Sequence, residues 1–231
     1  MRDRREAGRR LAARLGHFAG RSDVIVLGLP RGGIPVAFEV ARALGAPLDA
    51  IVVRKLCVPG HEELAMGAVA SGGVRVVDSA VLRQLDIGRD ALDAITDVEV
   101  HELERRERIY RGGAPAPEVR DRTVILVDDG LATGSTVFAA VEALRKQEPA
   151  EIIVAAPIGS PATCEVLERV ADDCVCLDMP EPMLGVGRWY EHYAPTSDAE
   201  VRALLAEASR ASVPRAPALG ALRRAATEPS R

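Results

Sequence analysis

Between residues 24 and 177 the chain alternates short, wholly apolar runs with stretches whose apolar positions recur every three or four residues. Val24 to Leu29, Ala50 to Val53, Thr123 to Val127, Ile152 to Ala156 and Cys174 to Leu177 show little or no polar alternation. Such runs are the mark of strands buried on both faces of a parallel sheet. Helical spacing marks the first twenty residues, with Asp3 as N-cap, Ala7, Leu11 and Leu15 on one face, and Gly16 and Gly20 closing the helix. The same spacing predicts helices over Pro35 to Leu44, Ser135 to Lys146 and Pro161 to Val170. Strands alternating with helices give an α/β fold class: a doubly wound, mainly parallel central sheet with helices on both faces and right-handed crossovers.

The alternation breaks in two places. Residues 56 to 73, punctuated by Pro59, Gly60, Gly67, Gly72 and Gly73, predict a mobile loop followed by a short hairpin. The span 79–112 reads as a helical insert, charged in its second half and ended by Gly112-Gly113. No internal repeat is visible. Beyond residue 208 the chain turns rich in Ala, Pro and Arg without periodicity, which predicts one domain over 1–208 and a disordered tail over 209–231.

Composition narrows the function. Aromatic residues are 3% of the 231, so aliphatic side chains must fill the core. A net charge of −4 gives no electrostatic ground for a nucleic-acid or membrane partner. The arginines at positions 2, 4, 5, 9, 10 and 14, and those at 215, 223, 224 and 231, read as solvated faces and tail. No apolar run approaches the ~20 residues that span a bilayer, and the charged N-terminus lacks an apolar leader, so a cytoplasmic location is expected. Cys57, Cys164, Cys174 and Cys176 match no zinc spacing and read as reduced, mostly buried thiols.

In a doubly wound sheet ligands bind beyond the carboxyl ends of the strands. Four such ends are Pro30 to Gly33, Arg54-Lys55, Asp128 to Thr136, and the region after Leu177. The segment from Val124 to Thr136 reads VILVDDGLATGST. Its strand delivers two adjacent carboxylates, then small and hydroxyl residues where a helix begins. Small residues let backbone N–H groups approach a phosphate, and the helix N-terminus favours the anion. Carboxylates, which only accept hydrogen bonds, suit the vicinal hydroxyls of a sugar. Phosphate at one end and diol at the other describe a ribose 5-phosphate. The bland alternative is a turn at Asp128-Asp129-Gly130 with Thr133 or Ser135 as an N-cap. A nucleotide P-loop is excluded, because no Lys follows the glycine as in GKS or GKT.

This thirteen-residue segment resembles the signature of the type I phosphoribosyltransferases. The resemblance implies that the protein binds 5-phosphoribosyl 1-pyrophosphate (PRPP) with Mg²⁺ and passes the ribosyl phosphate to a nitrogenous small-molecule acceptor. It places Asp128 and Asp129 on the ribose hydroxyls as the catalytic pair, and wraps Gly130, Leu131, Ala132, Thr133, Gly134, Ser135 and Thr136 around the 5′-phosphate. Arg31, Gly32 and Gly33 fall where the family keeps its pyrophosphate loop; a tight turn is the alternative. Arg54 and Lys55 are expected to contact pyrophosphate, or else are surface cations. The resemblance puts His61, Glu62 and Glu63 in a loop closing over PRPP, where they assist the leaving group or stay solvated. Residues 178–197 take the place of a hood over the acceptor, with Trp189 and Tyr190 either stacking on the acceptor or packing the hood. No direct protein ligand for Mg²⁺ is implied; the ion would be held through PRPP and water. The insert is expected to serve a homodimer. A PRPP-binding regulator without transfer, or a hydrolase or phosphorylase using water or phosphate, are the alternative readings. The whole chain to about residue 208 is also similar to an uncharacterised bacterial branch of the family. The insert and hood depart from the nucleobase enzymes, so the acceptor does not carry over.

Overall fold

A computed structural model describes residues 1–212. Helix α1 (Arg4–Arg14) leads into strand β1 (Val24–Gly28), helix α2 (Gly33–Leu44) and strand β2 (Leu48–Ala50). Strands β3 (Val53–Val58), β4 (His61–Ala70) and β5 (Val74–Val77) follow, then helices α3 (Ser79–Gln84) and α4 (Arg89–Arg111). The chain continues through β6 (Thr123–Val127), α5 (Ser135–Arg145), β7 (Glu151–Ile158), α6 (Pro161–Leu167), β8 (Asp173–Asp178) and α7 (Asp198–Ser212).

Five strands form an all-parallel sheet in the order β2-β1-β6-β7-β8. Its apolar runs are buried on both faces, and the period of two sorts them. Ile25, Leu27, Val124, Leu126, Ile152 and Val154 pack with Val137, Val141 and Leu144 of α5 and with Leu167 of α6. Val24, Val26, Ile125, Val127 and Ile153 pack on the other side, against Leu11 and Leu15 near α1 and Val36, Val40 and Leu44 of α2. Asp3 caps α1 as expected, its carboxylate accepting the Glu6 N–H at 2.8 Å. That bond holds the Asp3 carboxyl below the usual carboxylate range. Leu11 is fully buried, so Leu11→Ala would cost about 2–5 kcal/mol.

Two expectations fail here. The apolar run Ala50 to Val53 is not one strand: it is shared between two sheets. The Ile51 N–H still donates to the Gly28 carbonyl of the parallel sheet at 3.1 Å, whereas the Val52 N–H turns to Ser71 Oγ at 2.9 Å. Arg54 and Lys55 therefore lie inside β3 rather than at a strand end. Of the mobile loop and short hairpin expected over 56–73, the antiparallel pairing is present but the loop is not: the segment belongs to the sheet β3-β4-β5, and His61, Glu62 and Glu63 lie in β4. A half-buried sheet whose glycines recur every few residues reads as a loop, because side-chain alternation is lost at each glycine.

Leu56, Met66 and Val69 of this second sheet share a core with Ile34 and Phe38, with Leu92 and Leu103 of α4, and with Val201 and Leu204 of α7. Of the predicted tail, residues 209–212 are the last turn of α7, and 213–231 lie outside the described residues. No helix among the described residues is long and apolar enough to cross a membrane.

Candidate functional site

Strand order reverses at β1 and β6: β1 leads outward to β2 on one side, and β6 leads to β7 and β8 on the other. Such a switch point opens a crevice beyond the carboxyl ends of the two strands. Loops 30–33 and 128–136 emerge there, and they touch. A Cβ added to Gly32 would overlap Asp129 Oδ2, and one added to Gly33 would lie 2.6 Å from the Val127 carbonyl and 3.0 Å from Asp128 Cα. Glycine at these positions lets the first loop lie directly on the paired carboxylates. The peptide joining Pro30 and Arg31 is cis. Arg31 is half exposed at the rim, 4.0 Å from Asp198.

The second loop encloses a cavity of about 130 Å³ lined by Asp128, Gly130, Ala132, Thr133, Gly134, Ser135, Thr136 and Val137. The N-cap of α5 is Gly134, in the left-handed region at φ 67°, and no side chain caps the helix. Neither Thr133 nor Ser135 spends its hydroxyl as a cap; the two lie 3.5 Å apart and, with Thr136, are exposed. The first-turn amides of α5 and three hydroxyls thus surround a space of the size and polarity of an anion site. Leu131 differs from its neighbours. Its side chain is fully buried and its N–H donates to the Ile158 carbonyl at 2.8 Å, so it anchors the loop rather than lending an amide. Behind the loop, Thr163 Oγ1 donates to the Ala132 carbonyl at 2.7 Å, and the Ser160 N–H donates to the Leu131 carbonyl at 2.9 Å. Sequence reasoning passed over both residues, which lie about thirty positions away at the start of α6.

The two carboxylates occupy different environments. Asp128 accepts the Asp129 N–H at 2.8 Å. Burial, then the adjacent charge of Asp129, push its carboxyl well above the ordinary carboxylate range. Asp129 is buried and held by two side chains: Arg4 Nε at 2.7 Å and the Tyr193 hydroxyl at 3.0 Å, both on Oδ2. Arg4 also donates to the Ala194 carbonyl at 2.7 Å and lies over the Tyr193 ring, 4.0 Å from its centroid. One of the arginines read as a solvated face is therefore built into the site. Its apolar neighbours on α1 were legible; its partner, 125 residues away, was not.

The segment expected to form a hood follows β8. Tyr190 is buried, donates its hydroxyl to the Asp129 carbonyl at 2.7 Å, and stacks on Tyr193 with ring centroids 5.2 Å apart. Burial and the nearby Asp129 raise both phenols, Tyr193 to about 12. Trp189 and Tyr193 each keep 37% of their surface exposed. Residues 189–194 are also tied to the chain start, the Glu191 and His192 N–H groups donating to the Met1 and Arg2 carbonyls at 2.9 and 2.8 Å. Arg54 pairs with Glu99 of α4 at 2.6 Å. Among the described residues no side-chain hydrogen bond or ion pair joins Arg54 or Lys55 to the two crevice loops.

Comparison with known proteins agrees with this geometry. The family profile described as "Phosphoribosyl transferase domain" matches residues 3–188. Two curated proteins from Mycobacterium tuberculosis, strains CDC 1551 / Oshkosh and ATCC 25618 / H37Rv, are provisionally named phosphoribosyl transferases. Each is 44% identical over 208 residues, covering 90% of this chain and 47% of the relative. The chain thus spans about half the length of the curated relatives it matches. The crystal structure of TT1426 from Thermus thermophilus is 39% identical and superposes with a TM-score of 0.81 over 90% of this chain and 99% of that one. By the profile match, the curated relatives and the fold, the chain belongs to the phosphoribosyl transferase family, a family of glycosyltransferase-type enzymes.

Proposed function

We propose that the domain transfers a ribosyl 5-phosphate from PRPP, taken up with Mg²⁺, to a nitrogenous small-molecule acceptor and releases pyrophosphate. The observation that carries this reading is the junction of two loops at the switch point: the glycine loop lies on the paired carboxylates, and one of the pair, Asp128, lines the cavity ringed by the hydroxyls. A 5′-phosphate would take the amides and hydroxyls of residues 132–136. Asp128 and Asp129 would accept hydrogen bonds from the ribose hydroxyls, and the backbone at Gly32 and Gly33, with Arg31, would face the diphosphate. Loss of pyrophosphate leaves positive charge on the sugar ring, so a fixed carboxylate close by stabilises the transition state more than the ground state. The clamp on Asp129 fixes that charge in place without reorganisation. Arg54 and Lys55 enter this reading only if the second sheet turns them toward the diphosphate.

The donor set suits a magnesium ion delivered by its ligand. Asp129 is already paired with a guanidinium, and Mg²⁺ prefers a few hard oxygens while keeping several waters. Bound with PRPP, the ion would neutralise diphosphate charge. A cytoplasmic location and a homodimer through the insert accompany this reading.

A PRPP- or nucleotide-binding protein without transfer is a second reading. One observation favours it: Arg4 and Tyr193 occupy Asp129 Oδ2. Calorimetric titration with Mg-PRPP, followed by pyrophosphate release over a panel of bases and amines, separates the two. Binding without release in any mixture supports the second reading; no heat at millimolar PRPP refutes transfer, and no heat with nucleotides either refutes both.

A further inference from the structure

We propose that Cys164, Cys174 and Cys176 form a tri-thiolate site for a divalent d¹⁰ metal ion of the zinc class, seated behind the phosphate-loop candidate. The sequence spacing conceals it, because the ligands come from two elements. Cys174 and Cys176 stand two apart on β8 and share a face; Cys164 comes from α6. The three Sγ atoms lie within 4.8 Å of one another, with Cys164 and Cys176 at 3.1 Å. Zn–S bonds of about 2.3 Å in tetrahedral geometry need S···S edges of about 3.8 Å, inside that spread.

The surroundings make room for sulfur. A Cβ on Gly159, just past β7, would lie 2.6 Å from Cys164 Sγ and 2.9 Å from Cys176 Sγ. Cys164 is buried in the apolar core beside Leu131 and Leu167, while Cys174 and Cys176 are half-buried at its margin. Two of the three thiols are thus only half-buried, so three protein ligands would leave the fourth position to water.

Charge selects the ion. Binding releases three thiol protons, M²⁺ + 3 RSH → M(SR)₃⁻ + 3 H⁺, and leaves one net negative charge. A monovalent ion would leave two in the same half-apolar place. Borderline-soft d¹⁰ ions favour thiolate, and hard ions such as Mg²⁺ do not. The site would also brace the loop: Thr163, which holds the Ala132 carbonyl, precedes Cys164, and Gly159 pairs with Leu131. That consequence rests on the phosphate reading; metal binding does not.

The test is anaerobic titration of the fully reduced protein with Cd²⁺ against a weak chelator, read by thiolate-to-metal charge-transfer absorption and native mass. One ion per chain is expected, unchanged in Cys57→Ser. Cys164→Ser, Cys174→Ser and Cys176→Ser should each remove about a third of the absorption and weaken retention about tenfold or more. Circular dichroism checks each fold, and the half-buried Cys174→Ser serves if Cys164→Ser does not fold. Absence of a one-to-one complex, or an unchanged band in the Cys174 and Cys176 variants, overturns the proposal. So does a reduced protein that takes up no ion yet forms a Cys164–Cys176 disulfide on addition of a peroxide. No PRPP is present, so the outcome is independent of the transfer assay.

Discussion

Replacing Arg4 with Met keeps a long unbranched side chain and removes the charge that faces Asp129. The pair is well enclosed: the side chains expose 11% and 12% of their surface, and Nε lies 2.7 Å from the carboxylate. An exposed ion pair contributes about 0–1 kcal/mol, whereas removing one partner of a buried pair costs about 3–5 kcal/mol, since the other charge is left uncompensated. The low exposure places Arg4 in the second class. Arg4→Met also deletes the bond to Ala194 and the contact with Tyr193, which fasten the hood. For a domain of this size each kcal/mol moves the melting temperature by about 2–4 °C, so a fall of about 6–20 °C is expected. Asp129→Asn, which strands the guanidinium, should cost a comparable amount. The double variant leaves neither charge unpaired, so its loss should be clearly smaller than the sum. Urea unfolding of all four proteins, followed by circular dichroism, gives the cycle. A loss below about 1 kcal/mol for Arg4→Met, or strict additivity, would refute a buried, coupled pair.

Thr133→Val should weaken every 5′-phosphorylated ligand about ten- to a hundredfold by deleting a donor to a charged group, measured by titration with inorganic phosphate and a ribose 5-phosphate ester. Asp128→Asn should leave phosphate affinity unchanged or improved while pyrophosphate release falls by orders of magnitude; equal loss of phosphate affinity in both variants would separate neither role. Gly32→Ala should lower both thermal stability and PRPP affinity, because its Cβ must displace Asp129 or the loop; a variant matching the parent in both would show that the loops do not meet in solution. The Asp128 carboxyl is raised in the fold, so the folded state holds its proton above the unfolded value of about 4. Stability of the ligand-free protein should therefore decline as pH rises from about 4 through the raised value, and Asp128→Asn should flatten that slope in a melting series.

The parallel sheet was legible because burial on both faces leaves unbroken apolar runs, and the run Thr123 to Val127 matches β6 to the residue. The phosphate-loop candidate was legible because a strand, two carboxylates and a row of small residues are contiguous. What escaped was non-local. Ile51 and Val52 look like the middle of one strand, yet the Ile51 amide serves the parallel sheet and the Val52 amide goes to the Ser71 hydroxyl in the turn after β4. Thr163 and Ser160 support the loop from the next crossover, and the three thiols meet only once α6 lies against β8. Helix α7 was not predicted, although Val201, Leu204 and Leu205 fit a helical face and most of the helix falls within the expected domain. The family assignment rested on the contiguous motif and was reached from the sequence; the placement of Arg4 needed the fold.

Helix α1 has a consequence for how this domain can be cut. It supplies Leu11 to the core beneath the sheet and, through Arg4, the countercharge of an acid more than a hundred residues downstream. A fragment begun at Asp23, just ahead of the first strand, would keep every loop of the crevice and the whole parallel sheet. It would nonetheless bare one layer of that sheet, free the hood at Tyr193 and leave Asp129 with no cation beside it. The smallest portable unit for grafting, display or shuffling must therefore begin upstream of the motif-bearing strands, and the cation that pairs with the carboxylate has to travel with them.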